Sequence, residues 1–288
     1  MSLQNDYDLL FSDYEKTKEG HALLTERTCN VIKEIYDTVK PEKVLEIGFN
    51  AGHTAFAWLT MFPELHYHSI DICQHAHTQP HANMIKEVFG ERFMFGNLDS
   101  KKAKPNMIKD YDLVFIDGLH TYDQTYRDFC NVLLRLHHRS IVVIDDVLPC
   151  DKHSVLRTQD ECIASRRDDP DFDGGNLRAW HGDVFRLLVF LNLFHTSLCY
   201  ATVPGKEGVQ TVIWSKALEV NARNSQSSPW THPPFAVFDK PQLLLRKMWN
   251  LKSVDYRWIM KHKRLYNYCS ESILLDYLKV LFSGSSSS

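Results

Sequence analysis

The feature that most constrains this chain is an alternation. Short apolar runs rich in β-branched residues, at 44–49, 67–72, 93–95, 112–116 and 141–144, are separated by stretches with a helical period. Strands kept apart by helices cannot pair as hairpins, so they line up in parallel as one sheet. The runs 112–116 and 141–144 are almost continuously apolar, as strands covered on both faces require. The connector 122–137 carries Tyr126, Phe129, Leu133 and Leu136 on one side and predicts a crossover helix. Upstream, Leu24, Val31, Ile32, Ile35 and Val39 recur near the 3.6 period before Pro41, which predicts a helix over 21–39. Near the end of the alternation, "SLCYATVP" and "GVQTVIWS" are joined only by Gly205, Lys206 and Glu207. A link that short permits only an antiparallel pair.

At 288 residues the chain exceeds the usual domain size of roughly 100–150 residues, so a core domain with additions is expected. The reading is an N-terminal helical segment at 1–40, an α/β domain at 41–218, and a basic, aromatic-rich appendage at 219–288. "SSPWTHPPF" reads as a Pro-rich linker into that appendage. The formal charge of -3 and 44% hydrophobic content set no overall bias toward nucleic acid or acidic membranes. No apolar run approaches the roughly 18 residues of a membrane span, and Met1 to Gly20 is polar where a signal peptide would be apolar. A cytoplasmic protein with no membrane partner is expected. Seven scattered cysteines without a C-x-x-C pair predict reduced thiols rather than a zinc finger or disulfide framework. The terminal "SGSSSS" is low complexity and reads as a flexible tail.

Chemistry concentrates first in "VLEIGFNAGHTA", where Glu46, Gly48, Asn50 and Gly52 lie between a strand and a helix start. Such a turn offers outward N–H groups, and glycine lets a ligand approach the backbone. The dinucleotide fingerprint G-x-G-x-x-G fails, because Asn50 stands at the middle glycine. An acid just before the turn would repel a diphosphate and suits an amino group, so the expected ligand is zwitterionic. Asp71 ends the second strand, where an acid holds ribose hydroxyls. A nucleoside joined to an amino acid fits both.

In order along the chain come this turn, "SIDI" with Asp71, "LDS" at 98–100, "YDLVFIDGLHTYDQTYRDF" and "VVIDDV" at 142–147. With these motifs the chain resembles class I S-adenosylmethionine-dependent methyltransferases, in particular the small-molecule O-methyltransferases of catechol and macrolide-sugar type, over about residues 19–215. The resemblance implies a Rossmann-like α/β fold: a seven-stranded, mostly parallel sheet with an antiparallel last strand and helices on both faces. It implies that Glu46, Gly48, Asn50 and Gly52 line the methionine end of S-adenosyl-L-methionine, that Asp71 binds the ribose, and that Asp99 and Ser100 flank adenine. Leu98 stands where the family usually has glycine.

Asp117, Asp145 and Asp146 end the fourth and fifth strands, at the edge where open α/β folds place ligands. Converging carboxylates repel one another unless a cation neutralises them, and a hard divalent ion such as Mg²⁺ suits oxygen donors. Metal-dependent members of the resembling family place acids there. Asp117 also belongs with the cofactor-binding and catalytic candidates. His120, three residues on, is the second catalytic candidate, as base or substrate ligand. The leading expectation is O-methylation of a small hydroxylated acceptor by an enzyme free to form a homo-oligomer. The rivals are an NAD-binding Rossmann enzyme and a non-catalytic nucleoside-cofactor-binding or interaction protein.

Other constellations carry less. The histidines at 66, 68, 75, 77 and 81 lack a second ligand pair at zinc-site spacing and read as solvated loop residues. "DPDFDGGN" begins like a calcium loop but reaches Trp180 at its twelfth position, and reads as a mobile acidic lid. Asp183 in "WHGDVF" reads as a helix cap. The stretch 240–264 has eight basic residues against one acid, with Tyr256, Trp258, Tyr266 and Tyr268 around it. Its apolar interleaving predicts a docked amphipathic helix and argues against nucleic acid.

Overall fold

A computed structural model of the chain describes residues 26–102, 110–204, 209–224 and 241–283. The elements are helix α1 (Glu26–Val39), β1 (Lys43–Ile47), α2 (His53–Met61), β2 (His66–Asp71), α3 (Thr78–Phe89), β3 (Phe93–Asn97) and β4 (Leu113–Ile116). They continue with α4 (Tyr122–Leu133), β5 (Ile141–Ile144), α5 (Gln159–Arg167), α6 (Leu187–Phe194), β6 (Leu198–Pro204), β7 (Val209–Ser215) and α7 (Lys216–Asn224). The chain then forms α8 (Pro241–Met248), α9 (Tyr256–Lys261) and α10 (Glu271–Ser283).

The seven strands lie in the order β3-β2-β1-β4-β5-β7-β6. β1 pairs in parallel with β2 and β4, and β2 with β3, whereas β7 runs antiparallel to both β5 and β6. This is the expected class I methyltransferase sheet with its reversed last strand. The order steps outward from β1 in both directions, so the carboxyl ends of β1, β2, β3 and β4 share one edge.

Two compact units are distinguished, one formed up to Gly118 with Cys130–Ser140, the other by Leu119–Phe129 and the chain from Ile141. The first holds β1 to β4. Val44, Leu45, Tyr67, Phe93, Leu113 and Val114 are buried there, as the apolar runs require. The second holds β5 to β7 and the C-terminal helices. Its core includes Ile141, Ile144, Leu188, Ala201, Ile213 and Trp214.

Several boundaries differ from the sequence reading for local reasons. The helix expected over 122–137 ends at Leu133, because 137–140 close a turn: Ser140 Oγ accepts from His137 N at 3.0 Å and donates to the Tyr111 carbonyl at 2.8 Å. "HGDVFRLLVFLNLF", whose apolar residues read as one helix, forms a 3-10 turn at Val184–Arg186 before α6, since Gly182 takes a positive φ of 60°. The basic stretch is two short helices rather than one. Asp255 starts α9 by accepting from Trp258 N at 2.8 Å, after a 3-10 turn at Leu251–Ser253. The 205–207 link, the Pro-rich linker, residues 21–25 of the first predicted helix and the terminal "SGSSSS" lie outside the described residues.

The C-terminal helices are integral to the second unit. Asn267 O accepts from Thr202 N, and Thr202 O from Cys269 N, both at 3.1 Å. The buried Glu219 carboxylate accepts from Trp214 Nε1 at 3.1 Å and from the Tyr277 hydroxyl at 2.9 Å. Among the described residues no helix is long and apolar enough to cross a membrane.

Candidate active site

The glycine turn is built by close approach. Gly48 N donates to Ile70 O at 2.9 Å, and Asp117 N donates to Ile47 O at 2.9 Å, which draws the ends of β1, β2 and β4 together. Gly48 has a φ of 101°, and a Cβ there would stand 1.9 Å from the Asp117 carbonyl oxygen. No other residue fits both constraints. Asn50 also takes a positive φ, 50°, before Gly52 caps α2.

Asp71 splints this turn. Its Oδ2 accepts from Phe49 N at 2.8 Å and Asn50 N at 3.0 Å, and its Oδ1 from Cys73 N at 2.7 Å. A carboxylate offers about four lone-pair directions, so it can take a further donor without releasing the turn. Two histidines read as solvated loop residues buttress the same turn. His77 Nε2 lies 2.9 Å from Asn50 Oδ1, and His81 Nδ1 lies 2.9 Å from Ala51 O. After β3, Asp99 Oδ1 accepts from Lys101 N at 3.0 Å and Ser100 opens a 3-10 turn. Glu46, Gly48, Asn50, Gly52, Asp71, Asp99, Ser100 and Asp117 thus all lie in the first unit, on β1 or at the carboxyl ends of β1 to β4.

Glu46 is the electrostatic anomaly. It is 2% exposed and accepts from Ser69 Oγ at 2.7 Å. Burial, above all, pushes its pKa up to about 8; Asp117 and Asp71 add to the rise, and the Ser69 bond offsets part of it. Near neutrality the carboxyl is therefore largely protonated, and a cation placed beside it would draw the proton off.

The second unit holds a cluster of its own that the sequence reading only half anticipated. Asp146, at a φ of 58°, places Oδ2 3.0 Å from His120 Nδ1 and Oδ1 3.5 Å from His181 Nε2. His120 Nδ1 also lies 3.0 Å from the Trp180 carbonyl. Both partners are acceptors, so Nδ1 carries the proton and a neutral ring has its lone pair on Nε2. The Trp180 indole stacks on the ring at 4.9 Å. Gly182 lies under the His120 carbonyl, where a Cβ would come to 1.6 Å. Burial, with His120 beside it, lowers the His181 pKa to about 4 and keeps that imidazole neutral. The neighbouring Asp145 turns elsewhere: Oδ1 accepts from Asp146 N at 2.9 Å and Oδ2 faces Gln210 Nε2 of β7 at 3.5 Å.

Asp183, read as a cap, caps a different helix from its own. Almost fully buried, it accepts from Tyr122 N at the start of α4 at 2.9 Å and pairs with Arg186 and Arg157. The segment expected to be a mobile acidic lid is tied down: Asp169 pairs with Lys152 at 2.7 Å and His153 at 2.8 Å, while buried Arg166 donates to Asn176 O and Leu177 O.

Residues 45–147 match the family described as "Methyltransferase domain". No curated protein matches the sequence. Among solved structures, a putative caffeoyl-CoA O-methyltransferase from Staphylococcus aureus is 16% identical, with 75% of this chain and 93% of that one covered and a TM-score of 0.52. The SAH-bound methyltransferase PaMTH1 of Podospora anserina is 17% identical, with 74% and 87% covered and a TM-score of 0.52. At these identities the likeness is one of fold.

Proposed function

Residues 45–147 are a methyltransferase domain in a class I fold, and we propose that the protein uses it to move the methyl group of S-adenosylmethionine to an oxygen of a small hydroxylated acceptor. The observation that carries this reading is the turn at 48–52, splinted by Asp71 and closed on the end of β4. It offers backbone N–H groups for a carboxylate and Glu46 for an ammonium, while Asp71 keeps acceptor capacity for ribose hydroxyls. Asp99 and Ser100, one strand further out, would flank the adenine. S-adenosylmethionine supplies a methyl group already activated by its sulfonium charge.

The chain's part is positioning and proton removal. His120, with Nδ1 held by Asp146 and the Trp180 carbonyl, presents Nε2 as the base. The acceptor hydroxyl gives its proton to Nε2 as its oxygen bonds to the methyl carbon. The bond broken in exchange would be the cofactor's carbon–sulfur bond, with the sulfur released as a neutral thioether.

A divalent ion such as Mg²⁺ is a finer part of the proposal. The donors present fit one: the Asp146 carboxylate stands between two imidazoles, and Asp117 ends β4 three residues before His120. Asp145, directed to Gln210, belongs to the set only after a side-chain rotation. An ion bound there would lower the acceptor hydroxyl's pKa and orient its oxygen.

Calorimetric titration with S-adenosylmethionine and S-adenosylhomocysteine tests the reading, with NAD(H) as the competing ligand. Binding of the first two, weakened at least about tenfold in Asp71→Ala through loss of charge-assisted bonds, is expected. No heat and no thermal shift with either would refute it.

A further inference from the structure

The C-terminal part of the second unit carries a surface that methyl transfer does not use. Residues 241–264 hold seven basic side chains against one acid, and that acid, Asp255, is spent capping α9. This stretch contributes +6 against a chain total of -3, leaving -9 elsewhere. The charge is therefore sharply polarised, although the total conceals it.

Within this basic stretch, α8 presents two sides of opposite character. Leu244 is buried, with α8 packed on α6, whereas Leu245 is 44% exposed and Trp249, one turn on, is 85% exposed. Trp249 is the most exposed large apolar side chain among the described residues. Arg246 lies beside the pair, and Lys252 and Arg257 follow within the same module, all exposed. The module is internally braced: Lys247 Nζ donates to Ser253 O at 2.9 Å and Ser253 Oγ at 3.0 Å, and lies 5.2 Å over the Trp258 ring.

An anionic partner is what such charge recognises, and the aromatic residues decide which kind. Nucleic acid needs accessible rings on which bases can stack. Here Trp258 is stacked by His262 at 4.2 Å, Tyr266 is buried, and Tyr268 stacks on Tyr266 at 4.9 Å. What protrudes instead is a tryptophan with a leucine one turn away, in a stretch rich in exposed arginine and lysine. A leucine adds nothing to base stacking, but a Trp–Leu pair enters the headgroup boundary of a bilayer while basic residues contact lipid phosphates. A second copy of the same face would bring two positive rims together.

We infer that Leu245 and Trp249, with the exposed basic residues of the same stretch, dock the protein on an anionic membrane surface. This is a peripheral contact, and it stands whether or not methyl transfer is the activity.

Sedimentation of the full chain with phosphatidylcholine vesicles, with and without phosphatidylserine, tests the inference, with Trp249 fluorescence as a second readout. Binding to the anionic vesicles only, lost in high salt and accompanied by a blue shift absent from Trp249→Ala, is expected. Each basic residue at such a surface is worth roughly fivefold, so Arg246→Gln/Lys252→Gln/Arg257→Gln should weaken binding on the order of 100-fold. All these positions are exposed, so circular dichroism should show both variants folded. Equal binding to both vesicle types, or none to either at low salt, would overturn the inference. Trp249-dependent binding of a single-stranded oligonucleotide, or Trp249-dependent dimerisation, in place of vesicle binding would overturn it in favour of those partners.

Discussion

Replacing Glu46 with Gln isolates the most unusual ionisation in the protein. Gln keeps the volume and can still accept from Ser69 Oγ, but it does not titrate. In the wild type the carboxyl rises from an ordinary value of 4.5 to about 8 on folding. A raised folded-state pKa gives stability that is complete below the unfolded value and is lost as pH climbs through the folded value. Between pH 4.5 and about 8 the unfolded chain has released a proton that the folded chain retains. Wild-type stability should therefore fall relative to Glu46→Gln by roughly 1.4 kcal/mol per pH unit across that window, about 5 kcal/mol in all as an upper value. Above pH 8 the difference should level off. Urea unfolding of both proteins at four or five pH values reads this directly, because all other titrating groups cancel in the difference. A difference that does not change with pH would show that Glu46 is ionised in the folded state and that the burial argument is wrong. The proposed ligand adds a second reading. An ammonium beside Glu46 favours the ionised form, so binding near neutrality should release a proton, seen as a dependence of calorimetric heat on buffer that Glu46→Gln abolishes.

Two further expectations follow from the second unit. Chelation with EDTA should abolish methyl transfer and Mg²⁺ restore it; Asp146→Asn should mimic chelation and Asp145→Asn should cost less, while S-adenosylmethionine binding survives in each, and full activity in excess EDTA would remove the ion and leave His120 as the base. Deleting 239–288 strips Tyr277 from buried Glu219 and the 267–269 backbone from Thr202, each a buried partner worth roughly 1–3 kcal/mol, so the truncated chain should unfold at lower urea; an unchanged midpoint would show the tail to be a separable addition.

The sheet was legible in the sequence because strands such as β1, β4 and β5 are apolar runs whose burial is set by type, and a three-residue link left the last pair one orientation. The glycine turn was legible for a similar reason, since Gly48 meets a backbone constraint that few residues satisfy. What the sequence withheld are partners that depend on direction rather than type. His77 and His81 look like a polar loop until α3 sets them against Asn50 and Ala51. Trp180 clasps His120 across 60 residues, and the available signal was Gly182 directly after an aromatic and a histidine.

The acids at the strand ends show why residue type is not enough to assign chemistry. Glu46, Asp71, Asp145 and Asp146 are four carboxyls, and each meets a different environment. Burial drives Glu46 toward its neutral form. Asp71 accepts from three backbone N–H groups and holds the turn. Asp145 and Asp146 are consecutive, yet the positive φ of Asp146 separates their directions, one toward Gln210 and the other between two imidazoles. Repulsion among Asp117, Asp145 and Asp146, which from sequence alone called for a cation, is partly relieved because Asp145 turns to the Asp146 N–H and Gln210 and Asp146 to two histidines. The case for an ion consequently narrows to Asp146 and its neighbours, and the contrast between Asp146→Asn and Asp145→Asn is the measurement on which it turns.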